Sequence, residues 1–123
     1  MARGKILLID DDTGILGFLQ DYFQDRDFAV EVAGDGVEGL EKFKKGKFDL
    51  ILCDMLMPKM LGIEVLKRVK EASPDQRVMM MTGVTEKSMM EKAKALGCYL
   101  YLTKPVQLAE LEMRVSECFP KSK

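Results

Sequence analysis

Four places in the chain carry residues able to do chemistry together. Asp10, Asp11 and Asp12 follow an apolar run at 6–9, Asp54 follows a second at 50–53, Thr82 follows a third at 78–81, and Lys104 closes a fourth that passes through Leu102 and Thr103. Neighbouring carboxylates repel one another and favour a hard cation between them; magnesium, with its octahedral set of oxygen ligands, suits such a cluster. A carboxylate is also a nucleophile able to form an aspartyl phosphate. A lysine and a metal offset the charge on a transferring phosphoryl group, and a hydroxyl hydrogen-bonds one of its oxygens. Taken singly, each feature is ordinary: Asp12 with Thr13 caps a helix, Asp10 with Asp11 marks a turn, and Lys104 with Pro105 makes a strand exit. Taken together at successive strand ends, they point to phosphoryl chemistry.

The elements that must position these groups are legible as five apolar runs, at 6–9, 28–32, 50–53, 78–81 and 99–102. Most are continuously apolar, as expected of parallel strands covered on both faces. The run at 28–32 alternates more and suits an edge. Between the runs lie segments with helical spacing. Ile15, Leu19, Tyr22 and Phe23 mark one, widened by Leu16 and Phe18. Val37, Leu40 and Phe43 mark the next, with Gly46 as a stop. Val65, Leu66 and Val69 mark a third, ended before Ser73 and Pro74. Met89, Ala93 and Leu96 precede Gly97, and Leu108, Leu111, Val115 and Cys118 precede Pro120. The alternation predicts an α/β fold with a mostly parallel sheet and right-handed crossovers. In such a sheet the polar run ends share the carboxyl edge, where ligand crevices form.

Composition narrows the chemistry. The chain has 123 residues, enough for one domain with a core, and a formal net charge of −1. That balance argues against direct nucleic-acid binding driven by bulk charge. It has no histidine, so no Ser-His-Asp or Cys-His nucleophile arrangement exists in this chain. Any phosphohistidine in its chemistry must sit on another molecule. Three scattered cysteines, Cys53, Cys98 and Cys118, suggest reduced thiols rather than a disulfide framework. No apolar run approaches the roughly 18 residues of a membrane span or the length of a secretory h-region, and the expectation is a cytoplasmic protein without membrane insertion. The lysine-rich stretch 42–47 reads as a solvated helix end. Of the ten methionines, 79–81 read as strand core, Met55, Met57 and Met60 gather in the loop after Asp54, and Met89 with Met90 offer an adaptable surface for a partner.

Six stretches resemble a response-regulator receiver domain, the phosphoacceptor unit of two-component signalling. They are Ile6-Leu7-Leu8-Ile9-Asp10-Asp11, Gly36-Val37-Glu38-Gly39-Leu40, Asp54-Met55-Leu56-Met57-Pro58, Met57-Pro58-Lys59-Met60-Leu61-Gly62, Met81-Thr82-Gly83 and Tyr101-Leu102-Thr103-Lys104-Pro105. The likeness runs from Lys5 to about Phe119. It implies a flavodoxin-like (βα)5 doubly wound fold of five parallel strands in the order 2-1-3-4-5, with helices on both faces. It implies that Asp54 accepts a phosphoryl group from a partner phosphohistidine on a sensor histidine kinase or histidine phosphotransfer protein. Asp11, Asp54 and the backbone carbonyl of Leu56 would bind Mg2+ directly, and Asp10 mainly through a metal-bound water. Lys104 would pair with the phosphoryl group, Thr82 would bond one of its oxygens, and Tyr101 would be the aromatic switch that follows Thr82, acting on a surface built from the fourth helix, fifth strand and fifth helix. The bond between Lys104 and Pro105 would be cis. The chain would then be a signalling phosphoacceptor that assists its own phosphotransfer and dephosphorylation, not a conventional enzyme.

Departures from the family pattern are Leu61 before Gly62, where Asp is frequent, and Val106 after Pro105, where Phe is frequent. Leu56 and Val84 stand at the positions that tune hydrolysis; both are apolar and unable to hold an attacking water, which predicts a comparatively long-lived aspartyl phosphate. A haloacid-dehalogenase-like phosphohydrolase needs D-x-D-x-[TV], and the run Asp10-Asp11-Asp12-Thr13-Gly14 puts Gly where Thr or Val belongs. The expectation is one receiver domain over residues 1–123, with no output domain in the sequence.

Overall fold

A computed structural model describes residues 3–83 and 87–119. Ten elements alternate along it: β1 (Lys5–Ile9), α1 (Thr13–Gln24), β2 (Ala29–Ala33), α2 (Gly36–Lys45), β3 (Leu50–Cys53), α3 (Gly62–Ala72), β4 (Val78–Thr82), α4 (Lys87–Ala95), β5 (Leu100–Thr103) and α5 (Leu108–Glu117). The strands form one parallel sheet in the order β2-β1-β3-β4-β5. The expected fold and strand order are therefore observed, with β2 at an edge. The strands begin one residue later than the apolar runs at 28–32 and 99–102 suggested: Tyr99 precedes β5, its N–H donating to Val78 O at 2.7 Å and its ring lying 5.3 Å from the Arg77 guanidinium.

The continuous apolar strands supply both faces by alternation. Leu7, Ile9, Ile51, Cys53, Val78 and Met80 share one core with α2, α3 and α4, through Leu40, Val65, Leu66, Val69 and Ala93. Ile6, Leu8, Leu50, Leu52, Met79 and Met81 share the other with α1 and α5, through Leu16, Leu19, Phe23, Leu111 and Val115. Two helix-face expectations need correction. Phe18 does not widen the buried face of α1; it is 55% exposed. Val37 is also exposed, because α2 packs through Gly36, Gly39 and Leu40: a Cβ at Gly39 would lie 2.5 Å from Ile9, so the helix comes too close to β1 for larger side chains.

Termini follow from local chemistry. Asp12 accepts hydrogen bonds from the N–H groups of Gly14 and Ile15, and Asp35 from that of Glu38, so both cap their helices. Gly97 ends α4 with φ +96°, a conformation that favours glycine, whereas Gly46 ends α2 with extended backbone. Lys44, Lys45 and Lys47 are exposed as expected, but Lys42 turns back to donate to the Val32 carbonyl at 2.5 Å. Among the described residues no helix is long and apolar enough to cross a membrane.

Candidate functional site

Backbone hydrogen bonds continue past the strand ends and fix the polar residues that follow. Asp10 N–H donates to Ala33 O at 3.1 Å, Asp54 N–H to Ile9 O at 2.9 Å, and Lys104 N–H to Thr82 O at 2.8 Å. The register places Ile9 beside Cys53 and Thr82 beside Thr103, so the residues following β1, β3 and β5 meet at one edge around Thr82. The sheet thus brings Asp10, Asp11, Asp54, Thr82 and Lys104 together from positions spread over the whole chain.

One carboxylate oxygen from each of Asp10, Asp11 and Asp54 lies within 4.8 Å of the others. Asp10 and Asp54 are buried, and Asp11 is exposed. An all-oxygen donor set with one ligand open to solvent fits a hard divalent cation that keeps waters, such as Mg2+. The Lys104 ammonium reaches Asp10 Oδ2 at 2.9 Å and Asp54 Oδ2 at 3.5 Å. Each acid is also held by backbone: Asp12 N–H donates to Asp10 Oδ1 at 3.0 Å and Met55 N–H to Asp54 Oδ1 at 2.8 Å. Asp54 therefore presents Oδ2 to the ammonium and keeps Oδ1 on the chain.

Burial raises the Asp54 carboxyl above its ordinary range, the Asp10 charge adds to that shift, and Lys104 opposes it. Burial disfavours the charge on Lys104, but the hydrogen bond to Asp10 and the charges of Asp10 and Asp54 outweigh it, and its pKa is raised. Thr82 is buried at this edge. Tyr101 is half-buried against the core shared by α3 and α4, and burial raises its phenol. The peptide bond between Lys104 and Pro105 is cis, as expected.

Leu56 is 57% exposed beside the acids. Val84 lies outside the described residues. Met55 and Met57, in the loop after Asp54, are buried in the core, and Met60 packs partly against that core. Met89 also packs partly against that core, and Met90 is half-buried.

Two features escape sequence reasoning. A Cβ at Gly62 would stand 2.0 Å from the Asp54 carbonyl oxygen, and Gly62 N–H donates to Met55 O at 2.8 Å, so the start of α3 is seated directly on the backbone of Asp54. Gly62 in the stretch 57–62 was the available signal. An apolar groove of about 430 Å³ also runs between α1 and α5, lined by Ile15, Phe18, Pro105, Val106 and Leu108 and reaching Lys104. The exposure of Phe18 was the part that helical periodicity missed.

The pattern of the response regulator receiver domain family matches residues 6–116. The chain is 35% identical over 120 residues to sporulation initiation phosphotransferase F of Bacillus subtilis, covering 98% of this chain and 97% of that protein. It is 38% identical over 120 residues to the transcriptional regulatory protein CiaR of Streptococcus pneumoniae, covering 96% of this chain but 52% of that one. Among solved structures it is similar to the chemotaxis protein CheY4 of Vibrio cholerae, with a TM-score of 0.88, 33% identity and coverage of 97% and 99%. It is also similar to response regulator TrrA of Thermotoga maritima in complex with Mg(2+)-BeF, with a TM-score of 0.86, 26% identity and coverage of 97% and 100%.

Proposed function

The chain belongs to the response regulator receiver domain family of two-component signalling, and from that premise we propose that Asp54 is its phosphoacceptor. The observation that carries this reading is the Oδ2 of Asp54, facing the Lys104 ammonium within a cluster of three carboxylates. A carboxylate oxygen of Asp54 attacks the phosphorus of a phosphohistidine on a sensor histidine kinase or histidine phosphotransfer protein. The phosphorus–nitrogen bond breaks, the imidazole leaves with that electron pair and takes a proton from solvent, and a mixed anhydride remains on Asp54. The partner must supply the imidazole, because this chain has no histidine.

Asp11, Asp54 and the Leu56 carbonyl would hold Mg2+ directly, with Asp10 acting through a water. Bound there, the cation offsets charge on the phosphoryl oxygens. Lys104 pairs with the new phosphoryl group, and Thr82 bonds one of its oxygens. Adding about −2 charge at Asp54 recruits these donors, and Tyr101 transmits their shift to the surface of α4, β5 and α5. The apolar Leu56 side chain offers an attacking water no hydrogen bond, so the anhydride is long-lived. The groove between α1 and α5 adjoins Lys104. The residues act as one cytoplasmic receiver unit.

Acetyl phosphate with MgCl2 should add one phosphoryl group per chain, read by intact-protein mass spectrometry, and Asp54→Asn should abolish it. Undiminished labelling of that variant would overturn the assignment.

A further inference from the structure

A formal net charge of −1 hides an uneven distribution over the two helical layers. The layer of α2, α3 and α4 carries nine lysine and arginine residues against five acids, and the layer of α1 and α5 carries one arginine against four acids. On the first layer the charges of α3 and α4 run together. Glu64 is held below its ordinary range first by the hydrogen bond from Arg68 and further by the charges of Arg68, Lys67 and Lys92. Lys94 and Lys70 together oppose the rise that burial gives the Cys98 thiol. Lys67, Lys92 and Lys94 are exposed, and among the described residues none stands within ion-pairing distance of an acid. Cations in the later turns of α3 and α4 also suit the helix dipole. The first helix departs from that rule: the last turn of α1 holds Asp21 and no base, Asp25 caps it, and Asp27 follows. All three acids are exposed, and Arg26 between them turns instead to Glu112 at 3.2 Å and lies 3.7 Å over the Tyr22 ring. Acids at the carboxyl end of a helix weaken it, so the stability of α1 does not account for them.

We propose that the basic face of α3 and α4 on one copy of this chain binds the acidic end of α1 on the next. This pairing satisfies both layers at once, whereas a polyanion would use only the first. A net charge near zero sets no overall repulsion between copies. The two faces lie on opposite sides of the sheet, so the contact is head-to-tail and repeats from copy to copy. It is made of exposed charges and is therefore weak and sensitive to salt. In this topology each helix returns toward the amino edge of the sheet, so its later turns are remote from Asp54 and the contact leaves the acidic cluster open.

The test is sedimentation velocity on the intact chain at several concentrations. At about 20 mM NaCl the weight-average mass should rise with concentration, and at about 500 mM it should return to that of one chain, because the screening length falls from about 20 Å to about 4 Å. Lys67→Gln with Lys92→Gln neutralises one face and Asp21→Asn with Asp25→Asn the other, and circular dichroism checks that each variant is folded. Each alone should associate on the order of tenfold more weakly than wild type, the scale of losing two exposed ion pairs. Mixed in equal amounts, the two variants should pair at wild-type strength and stop at two copies, since each brings one intact face. Wild type that stays monomeric at low salt, or a mixture that associates no better than its components, overturns the proposal. Monomeric wild type that binds phosphatidylglycerol vesicles, with binding lost in the lysine variant, also overturns it and gives the basic face to a lipid surface.

Discussion

The two edges of the sheet solve opposite problems. At the amino edge, charges are closed against rings and carbonyls: the Arg3 guanidinium lies 4.4 Å from the Phe28 ring centre, Phe28 packs on Phe119 at 4.9 Å, Lys5 N–H donates to Asp49 at 2.8 Å, and Arg77 donates to the Cys118 carbonyl at 2.6 Å. At the carboxyl edge, three carboxylates meet around one lysine. The first arrangement is complete. The second carries excess negative charge that the rest of the fold must hold in place, and so it is suited to take up a cation and then a charged group.

Paired glycines test that contrast at the largest scale. Gly62→Ala drives a Cβ into the Asp54 carbonyl, a backbone atom that has no rotamer with which to give way. The variant should lose about 3 kcal/mol of stability in urea denaturation and most of its acetyl phosphate labelling. Gly4→Ala meets the Phe119 ring, a side chain that can shift against Phe28 where a backbone atom cannot. It should cost about 1 kcal/mol and leave labelling of Asp54 unchanged. Equal losses of labelling would show that the two edges are not independent.

Phe18→Ala separates the groove between α1 and α5 from the chemistry, by testing whether a partner uses that groove. Transfer from a phosphorylated histidine kinase should slow about tenfold, the effect of truncating a well-packed aromatic anchor, while labelling by acetyl phosphate should stay at the wild-type rate. A smaller effect is expected from Leu56→Asn, which offers a hydrogen-bonding group to water beside Asp54. Loss of phosphate should speed up severalfold, on the order of one added water-positioning bond. An unchanged rate would mean that Leu56 does not set the lifetime.

The sequence showed which residues converge but not how they share one another. Continuous apolar runs ending in Asp10, Asp54, Thr82 and Lys104 identify a parallel sheet with a polar carboxyl edge, because strand periodicity and strand-end polarity are local signals. Asp12 as a cap is legible for the same reason, whereas the cis bond before Pro105 was implied only by the family resemblance. The preference of Lys104 for Asp10 over Asp54 is a difference of 0.6 Å between residues about fifty and ninety positions away, decided by tertiary packing. Likewise Met55 and Met57 lie in a loop by sequence but fill the core, because α3 is seated on that loop through Gly62. Helical spacing assigned Phe18 and Val37 to buried faces because it cannot see where a neighbouring element ends or approaches too closely.

The smallest effects expected are on stability against pH, and here the two ends of the molecule should differ in sign. Asp54 has a folded-state pKa raised by burial and by the Asp10 charge. Its contribution to stability is complete below the ordinary Asp range and is lost as pH rises through the folded value. Asp54→Asn keeps an acceptor for the Met55 N–H and removes the charge, while Lys104 retains its nearer partner Asp10. In metal-free buffer at pH 7 the variant should therefore melt slightly above wild type, and the difference should vanish as the buffer is taken below the usual Asp pKa. Glu112 lies on α5 away from the acids, and its pKa is lowered, first by the hydrogen bond from the Tyr22 hydroxyl at 2.6 Å and further by Arg26. Its contribution is present above the ordinary Glu range and is lost as pH falls through the folded value. Glu112→Gln should accordingly melt slightly below wild type at pH 7, with the gap closing in acid. Charge removal that stabilises at Asp54 and destabilises at Glu112 marks the carboxyl edge as the place where the fold tolerates electrostatic strain; the same sign at both positions would remove that distinction.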